Sequence, residues 1–165
     1  MASTIHLILS VALATFLLCL SACSKGPYRM RDTSMAPTLT NGQAFKLHPL
    51  LTVQRWSVVL YEPPVMEGPN VGWAGRIVGL PGESLSISNG RLIIDGTVIQ
   101  PPRQLRDLRF TSQSTNPNPA VQYPIQVKPN SVFILGDNAS SAYDSRYFGS
   151  IDESRLIGRI IADLK

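Results

Sequence analysis

Cysteine is nearly absent from this sequence, and charged residues are scarce. Of the 165 residues, only two are cysteines and 16% are charged, whereas 44% are hydrophobic. This balance excludes a highly charged disordered chain and indicates one globular domain with a modest core. Because both cysteines, Cys19 and Cys23, lie near the N-terminus, no disulfide can cross-link the rest of the chain. The core alone must hold that part together.

Lysine is missing from a long central stretch, since none occurs between Lys46 and Lys128. This excludes a site built on a lysine anywhere in that stretch. The net charge of +4 is spread thinly, and after Lys25, Arg29 and Arg31 near the apolar segment the second basic cluster consists of Arg103, Arg106 and Arg109. Such a cluster favours a solvated loop, so no nucleic-acid partner is expected.

The N-terminal 23 residues carry no charged side chain, and the run from Leu7 to Leu20 is almost wholly apolar. This run is shorter than the roughly 20 apolar residues of a membrane-spanning helix, which favours the core of a signal peptide. The segment ends in Leu20-Ser21-Ala22-Cys23, which resembles a bacterial lipobox with Cys23 as the lipidated residue. An uncleaved helix from about Ile5 to Cys23 is the alternative. Either way, residues 1–23 predict attachment to a membrane, with a separate domain over residues 24–165.

The body of the chain has the patterns of β-structure, with no helical period sustained beyond residue 24. The clearest signal is Asn89-Gly90 between two alternating runs, which predicts a two-residue type I′ hairpin. Residues 100–120, rich in Pro, Arg, Asn and Ser, predict a long surface loop. We therefore expect an all-β domain, an antiparallel and partly open barrel or sandwich. The predicted strands are Gln43–Leu47, Trp56–Tyr61, Arg76–Leu80, Leu85–Ser88, Arg91–Ile94, Thr97–Ile99, Val121–Val127, Ser131–Leu135 and Leu156–Leu164.

Three blocks stand out along the chain. They are Thr33-Ser34-Met35-Ala36-Pro37-Thr38-Leu39, Arg76-Ile77-Val78-Gly79-Leu80-Pro81-Gly82-Glu83, and Gly136-Asp137-Asn138 followed by Asp144-Ser145-Arg146. Their order and spacing resemble the bacterial type I signal peptidases, the S26 serine peptidases, over about residues 34–149. The resemblance implies a β-fold carrying a serine endopeptidase site that needs no cofactor and no metal.

By this resemblance Ser34 is the nucleophile, and it needs a base because a seryl hydroxyl is a weak acid. Bacterial members supply a lysine immediately before the arginine matched by Arg76, where this chain has Gly75. The serine that orients that lysine is replaced by Ala142. Asp32 occupies a position where a serine of the relatives often helps to hold the oxyanion. An ionised carboxylate there would repel the negative charge that develops during acyl transfer.

Another group could accept the proton of Ser34 only if the fold brings it there. Asp32 lies on the same side of an extended chain, but a carboxylate is a poor base for serine. Lys46 and His48 would reach the site only if the first hairpin folds back over it, and Lys46 is otherwise an outward-facing strand residue.

The resemblance also implies supporting and substrate-binding residues. Two carboxylates and two guanidinium groups would form a charge-paired network that braces the site: Asp137, Asp144, Arg76 and Arg146. The substrate-binding residues would be Asp32, Met35, Leu39, Ala74 and Gly75. An extended segment would lie along residues 30–34 and 73–75 as an added strand.

Two functions remain open. The first is a membrane-anchored serine endopeptidase that uses Ser34 to cut signal or precursor segments. The second is a catalytically silent relative that binds such segments or assists assembly in the cell envelope, which Gly75 and Ala142 favour. Both place the domain on the extracytoplasmic side of a membrane, periplasmic or at the cell surface. Both also name the membrane and an extended signal-peptide or precursor segment as partners.

Overall fold

The computed structural model describes residues 28–65, 72–112 and 121–162. Within these ranges there are eleven β-strands, one short α-helix, and two 3-10 helices at Arg103–Leu105 and Glu153–Arg155. The strands are β1 Tyr28–Arg29, β2 Ala44–His48, β3 Val58–Tyr61, β4 Trp73–Gly79, β5 Ser84–Ser88, β6 Arg91–Ile94, β7 Thr97–Ile99, β8 Ile125–Gln126, β9 Ser131–Leu135, β10 Ile151–Asp152 and β11 Leu156–Ile161. The helix α1 covers Ser145–Phe148.

The strands form two antiparallel sheets. The larger sheet has the order β1-β2-β11-β3-β4-β9-β10, and the smaller one has the order β7-β6-β5-β8. Every strand pair in both sheets is antiparallel. The predicted all-β antiparallel fold class is therefore confirmed. The predictions for residues 1–23, including the lipidation of Cys23, lie outside the described residues.

The predicted hairpin at Asn89-Gly90 is confirmed. Ser88 pairs with Arg91, and the two residues between them have φ values of 49° and 76°. Positive φ at both central residues is what a type I′ turn requires. The following turn, at 95–96, repeats the arrangement with φ values of 49° and 78°. Local turn chemistry was therefore enough to fix the register of β5, β6 and β7.

Other local predictions differ from the structure. The strand predicted over Val121–Val127 is too long, because β8 covers only Ile125–Gln126 and Pro124 before it has no N–H to donate to a ladder. In the predicted surface loop, Phe110 is buried and its ring centroid lies 6.2 Å from that of Trp56. Apolar burial thus overrides the polar composition of that segment. Sequence patterns also missed β1, β10 and α1, which are too short to show a period.

Three apolar clusters form the core. One joins the two sheets, and the other two lie on opposite faces of β3 and β4 because successive strand residues point to opposite sides. Leu60 belongs to one of these two clusters and Tyr61 to the other. The turn after Ser34 packs onto the Leu60 cluster through Met35 and Leu39. Within the three described ranges, no helix has both the length and the apolar composition needed to cross a membrane.

Candidate functional site

Ser34 lies in a turn that its own neighbours and a distant loop hold in place. Its hydroxyl donates to Asp32 Oδ1 at 2.7 Å, and its backbone N–H donates to the same oxygen at 2.8 Å. Asp32 is exposed and Ser34 is half-buried. From the other side, the N–H of Asn138 donates to the carbonyl oxygen of Ser34 at 2.9 Å. The Asn138 side chain also donates to the carbonyl of Thr33 at 3.1 Å. The hydroxyl and the backbone N–H of Ser34 thus both donate to the carboxylate of Asp32.

A small pocket of about 120 Å³ opens beside this turn. Its lining residues come from four separate parts of the chain: Asp32, Ser34, Tyr61, Trp73, Ala74, Gly136, Ser141, Ala142, Tyr143 and Asp144. No lysine, arginine or histidine is among these lining residues, although the chain has a net positive charge. Lys46 and His48 are both exposed on β2, outside the pocket lining. The described residues therefore bring no cationic or imidazole base to the pocket.

Gly75 occupies a position that is sterically closed. A Cβ placed there would lie 2.3 Å from Cγ2 of Ile134 and 3.1 Å from Cε1 of Tyr61. Real Cβ atoms do not approach other atoms as closely as 2.3 Å, so any side chain at this position would require the Ile134 side chain to move. The surroundings of residue 75 thus agree with the absence of a lysine there, because Ile134 and Tyr61 fill the space that its side chain would need.

Tyr61 is the residue that the sequence patterns missed and that the fold brings to the pocket. It is 1% exposed and lines the pocket together with Ser34. Burial raises the pKa of Tyr61 far above its usual range, and the negative charges of Asp144 and Asp32 raise it further. Pairing of Tyr61 with Trp73 across β3 and β4 places it here.

Arg76 and Asp137 form a buried pair behind the Ser34 turn. The guanidinium donates through Nε to Asp137 Oδ1 at 2.7 Å and through Nη2 to Oδ2 at 2.6 Å, a two-pronged contact. Its remaining donors reach the Trp56 carbonyl at 2.7 Å and the Thr38 hydroxyl at 3.1 Å. Thr38 in turn donates to Asp137. The pair thus ties the chain just after Ser34 to the strand β4.

Arg146 and Asp144 form a second, separate pair. Arg146 donates through Nε and Nη2 to the two Asp144 oxygens, each at 2.8 Å. Burial alone would lower the pKa of the Arg146 guanidinium, but its hydrogen bonds and charge attraction to Asp144 outweigh burial and raise it. Asp144 also accepts from the N–H of Gly136 at 2.9 Å. The predicted set of four charged residues therefore occurs as two buried pairs.

Gly136 lets the two halves of the site approach each other. A Cβ on this residue would lie 2.4 Å from Cβ of Ala142 and 2.7 Å from the Ser34 carbonyl oxygen. Only glycine permits this contact. The loop that begins at Gly136 can therefore press against the Ser34 turn and close one side of the pocket.

The structure separates the residues predicted to bind substrate into two groups. Asp32 and Ala74 line the pocket with Ser34. Met35 and Leu39 are fully buried in the cluster below, where Ala74 also packs against them. Trp73, within the range 73–75 predicted to run beside a bound segment, also lines the pocket, and the lining residues that sequence reasoning missed are Tyr61, Ser141 and Tyr143. The one sequence signal for any of these residues was that Tyr143 directly follows Ala142, a position that the family resemblance already places near Ser34.

A larger groove of about 950 Å³ lies elsewhere on the domain and does not include Ser34. It runs between the segment 37–44 and the segment 104–109, and Asp137 is the one lining residue that belongs to the last of the three sequence blocks. Its charged residues are mixed in sign: Arg29, Arg109, Asp107 and Asp137. The residue proposed as the nucleophile, Ser34, lines the smaller pocket and not this groove, so the smaller pocket is the candidate site. Among the described residues, no group of three or more metal-ligating side chains occurs.

Known proteins share both sequence and fold with this chain. The family profile described as "Signal peptidase, peptidase S26" matches residues 1–164. Signal peptidase I of Bacillus caldolyticus is 27% identical over 143 residues, which cover 81% of this chain and 75% of that protein. Signal peptidase I V of Bacillus subtilis (strain 168) is 28% identical over 144 residues, covering 82% and 83%. A crystal structure of a signal peptidase I from Enterococcus faecalis V583 matches with a TM-score of 0.50 and 26% identity, covering 67% of this chain and 97% of that one.

Proposed function

The chain belongs to the signal peptidase family, peptidase S26, and from this premise we propose that it binds extended export or precursor segments without serine–lysine catalysis. The observation that carries this proposal is the closed position at Gly75, where Ile134 and Tyr61 leave no room for a side chain. The signal-peptidase-like fold is kept, whereas the position where the resemblance expects the base lysine is Gly75.

The chemistry of Ser34 supports this proposal. A serine attacks an amide only when a nearby base takes its proton. Among the residues described, the pocket lining holds two carboxylates and no amine or imidazole. The Ser34 N–H, which could otherwise help to hold an oxyanion, already donates to Asp32 at 2.8 Å. The described residues of the pocket thus offer Ser34 no base stronger than a carboxylate, and its N–H already has an acceptor.

The strand geometry supports binding of an extended segment. Residues 73–75 of β4 pair with β3 on one side, while the ladder with β9 begins only at Arg76. A segment could therefore add alongside residues 73–75 as a further strand and lay a side chain into the pocket. A volume of about 120 Å³ limits that side chain to a small or slender one.

A second candidate function is favoured by the 2.7 Å hydrogen bond from the Ser34 hydroxyl to Asp32. In this alternative the chain is a serine endopeptidase in which Ser34 is the nucleophile and Asp32 accepts its proton. A carboxylate is a weak base, so the reaction would be slow compared with a lysine-dependent one. Under either function, we propose that residues 1–23 attach the chain to a membrane with the domain on its extracytoplasmic side.

Binding and cleavage of one probe separate the two functions. The full chain, purified in detergent, is mixed with a fluorescein-labelled peptide that spans the end of a secretory signal sequence and the start of the mature protein. We expect saturable binding, measured by fluorescence anisotropy, and no Ser34-dependent product by mass spectrometry. The variants are Ser34→Ala and, as a matched control, Ser154→Ala, because Ser154 makes the same local contacts with Asp152.

Two outcomes contradict the binding proposal. If the peptide does not bind at all, the chain has no segment-binding function. If the wild type and Ser154→Ala cleave the peptide while Ser34→Ala does not, the chain is an enzyme and the second candidate is correct.

A further inference from the structure

Trp56 has an unusual backbone conformation. Its φ value is 74°, in the left-handed region that glycine adopts freely and bulky residues rarely adopt. The other non-glycine residues with positive φ in the described part of the chain are Asn89, Asp95 and Asn130, whose short polar side chains tolerate this region. Such outliers persist only where the surrounding structure holds them, and they cluster at functional sites. The conformation of Trp56 must therefore be held by its neighbours.

Hydrogen bonds identify the turn that imposes this conformation. The N–H of Ser57 donates to the Gln54 carbonyl at 3.2 Å, so residues 54–57 form a turn with Trp56 in its third position. A positive φ at that position is what a type II turn requires. The Trp56 N–H donates to the Ile77 carbonyl at 2.7 Å, and the Ile77 N–H donates to the Ser57 carbonyl at 2.9 Å. Two residues thus face Ile77, which is a β-bulge of the kind that usually has glycine at its first residue.

The bulge takes the Trp56 carbonyl out of the ladder between β3 and β4, because Ile77 donates to the carbonyl of Ser57 instead. The Trp56 oxygen accepts from Nη1 of Arg76 at 2.7 Å. Arg76 is 3% exposed, and a buried donor of a charged group is costly to leave without a partner. The left-handed residue therefore supplies the acceptor that this nitrogen needs.

From Arg76 the contacts continue to the turn at Ser34. The guanidinium holds both oxygens of Asp137, through Nε at 2.7 Å and Nη2 at 2.6 Å. The next residue, Asn138, donates its N–H to the Ser34 carbonyl at 2.9 Å and its side-chain N–H to the Thr33 carbonyl at 3.1 Å. The orientation of the guanidinium therefore sets the position of the loop that clamps Ser34.

The indole ring offsets the cost of this backbone. It stacks on Phe110 with ring centroids 6.2 Å apart and an interplanar angle of 29°. It also packs against the apolar cluster that joins the two sheets. The free energy gained by burying part of such a ring is of the same order as the strain of one left-handed residue. A residue other than glycine can therefore keep this conformation.

We propose that Trp56 is a positioning residue for the Ser34 site. Its backbone carbonyl orients Arg76, and Arg76 orients the Ser34 turn through Asp137 and Asn138. Trp56 is not among the residues that line the Ser34 pocket, so its effect on a bound segment is indirect. The effect on binding rests on the proposed function, whereas the effect on Arg76 is measured without it.

Two substitutions that lose the same ring separate the backbone from the side chain. Trp56→Gly permits a positive φ at no steric cost, whereas Trp56→Val disfavours it. The readouts are the Arg76 Nε–H and Ser34 backbone N–H signals in proton–nitrogen NMR spectra of the full chain in detergent. We expect both signals near their wild-type positions in Trp56→Gly, and shifted or broadened in Trp56→Val. Trp56→Ala, a milder change than valine, replaces it if Trp56→Val does not fold.

Binding of the fluorescein-labelled precursor peptide is compared by anisotropy. We expect Trp56→Val to bind about tenfold more weakly than Trp56→Gly, since a buried charged donor loses its acceptor. Asn130 provides the matched control, because its φ is also positive, at 52°, but it lies in an exposed turn before β9. Asn130→Gly and Asn130→Val should differ from each other in stability only, with Arg76 and Ser34 signals and peptide binding like those of the wild type.

Three results overturn the proposal. The first is equal signals from the glycine and valine variants at residue 56. The second is signals that differ without any difference in peptide binding. The third is an Asn130→Val variant that shifts the Arg76 and Ser34 signals as much as Trp56→Val does, since the effect is then a general loss of stability. If the wild type binds no peptide, the proposed function fails, and the Arg76 and Ser34 signals alone decide whether Trp56 positions the turn.

Discussion

Two Asp-x-Ser turns in this chain make the same local hydrogen bonds in different surroundings. In the first, Asp32 accepts from the N–H and hydroxyl of Ser34 at 2.8 and 2.7 Å. In the second, Asp152 accepts from the N–H and hydroxyl of Ser154 at 2.9 and 2.6 Å. Aspartate commonly bonds to the backbone two residues ahead in this way. The Asp–Ser contact is therefore a property of the local sequence and does not by itself make a catalytic pair.

The surroundings of the two serines differ in everything else. Ser154 is exposed and is the second residue of the 3-10 helix Glu153–Arg155, whose N-cap is Asp152. Ser34 is half-buried, clamped by Asn138, and faces a pocket that also holds Tyr61. The comparison teaches that a site is made by residues distant in the chain. Three changes can break or sharpen this comparison.

Removal of Asp137 should have the largest effect. Asp137→Ala leaves the Arg76 guanidinium, whose side chain is only 4% exposed, without its carboxylate. An uncompensated buried charge costs about 3–5 kcal/mol of unfolding free energy. Because this pair supports the Ser34 turn and has no counterpart at Ser154, Asp152→Ala should lower stability far less. Urea denaturation of both variants measures the difference, and equal losses would contradict the account of the buried pair.

Gly75→Ala should have an intermediate effect. The added Cβ would meet Ile134 at 2.3 Å, and overpacking of this kind costs about 1–3 kcal/mol. In an Ile134→Ala background the same change should cost clearly less, because the clash is gone. A double-mutant cycle on urea denaturation measures this coupling. If the cost is the same in both backgrounds, the contact with Ile134 is not what closes residue 75.

Asp152→Asn should have the smallest effect, and one that depends on pH. Hydrogen bonds from the Ser154 hydroxyl and N–H lower the pKa of Asp152 below its usual 3.8. A lowered folded pKa gives stability that is present above the unfolded value and is lost as the pH falls through the folded one. We therefore expect a small decrease in the urea midpoint at about pH 7 that vanishes in strong acid.

The same pH series on Asp32→Asn sharpens the comparison. If the urea midpoint of Asp32→Asn depends on pH in the same way as that of Asp152→Asn, the turn at Ser34 is locally no different from the exposed turn at Ser154. If Asp152→Asn is still less stable than the wild type in strong acid, the role assigned to the Asp152 carboxylate is contradicted.

The sequence predicted more of the scaffold than of the pocket. The hairpin at Asn89-Gly90 was predictable because positive φ at two successive residues requires those residue types. Ser34 could be found because the resemblance marks it. Tyr61 could not be found, because a tyrosine at the end of a β-strand is in most cases plain core. Its role depends on the pairing with Trp73, which joins strands separated by residues 62–72.

The sequence by itself determined the antiparallel β-fold, the family, and the lack of any lysine between residues 46 and 128. It could do so because strand patterns, turn types and missing side chains are properties of short segments. Only the tertiary structure decided that Ile134 closes the space at Gly75 and that Tyr61 lines the same pocket as Ser34. Those facts depend on strand register and packing distances between residues far apart in the chain, which no local pattern encodes.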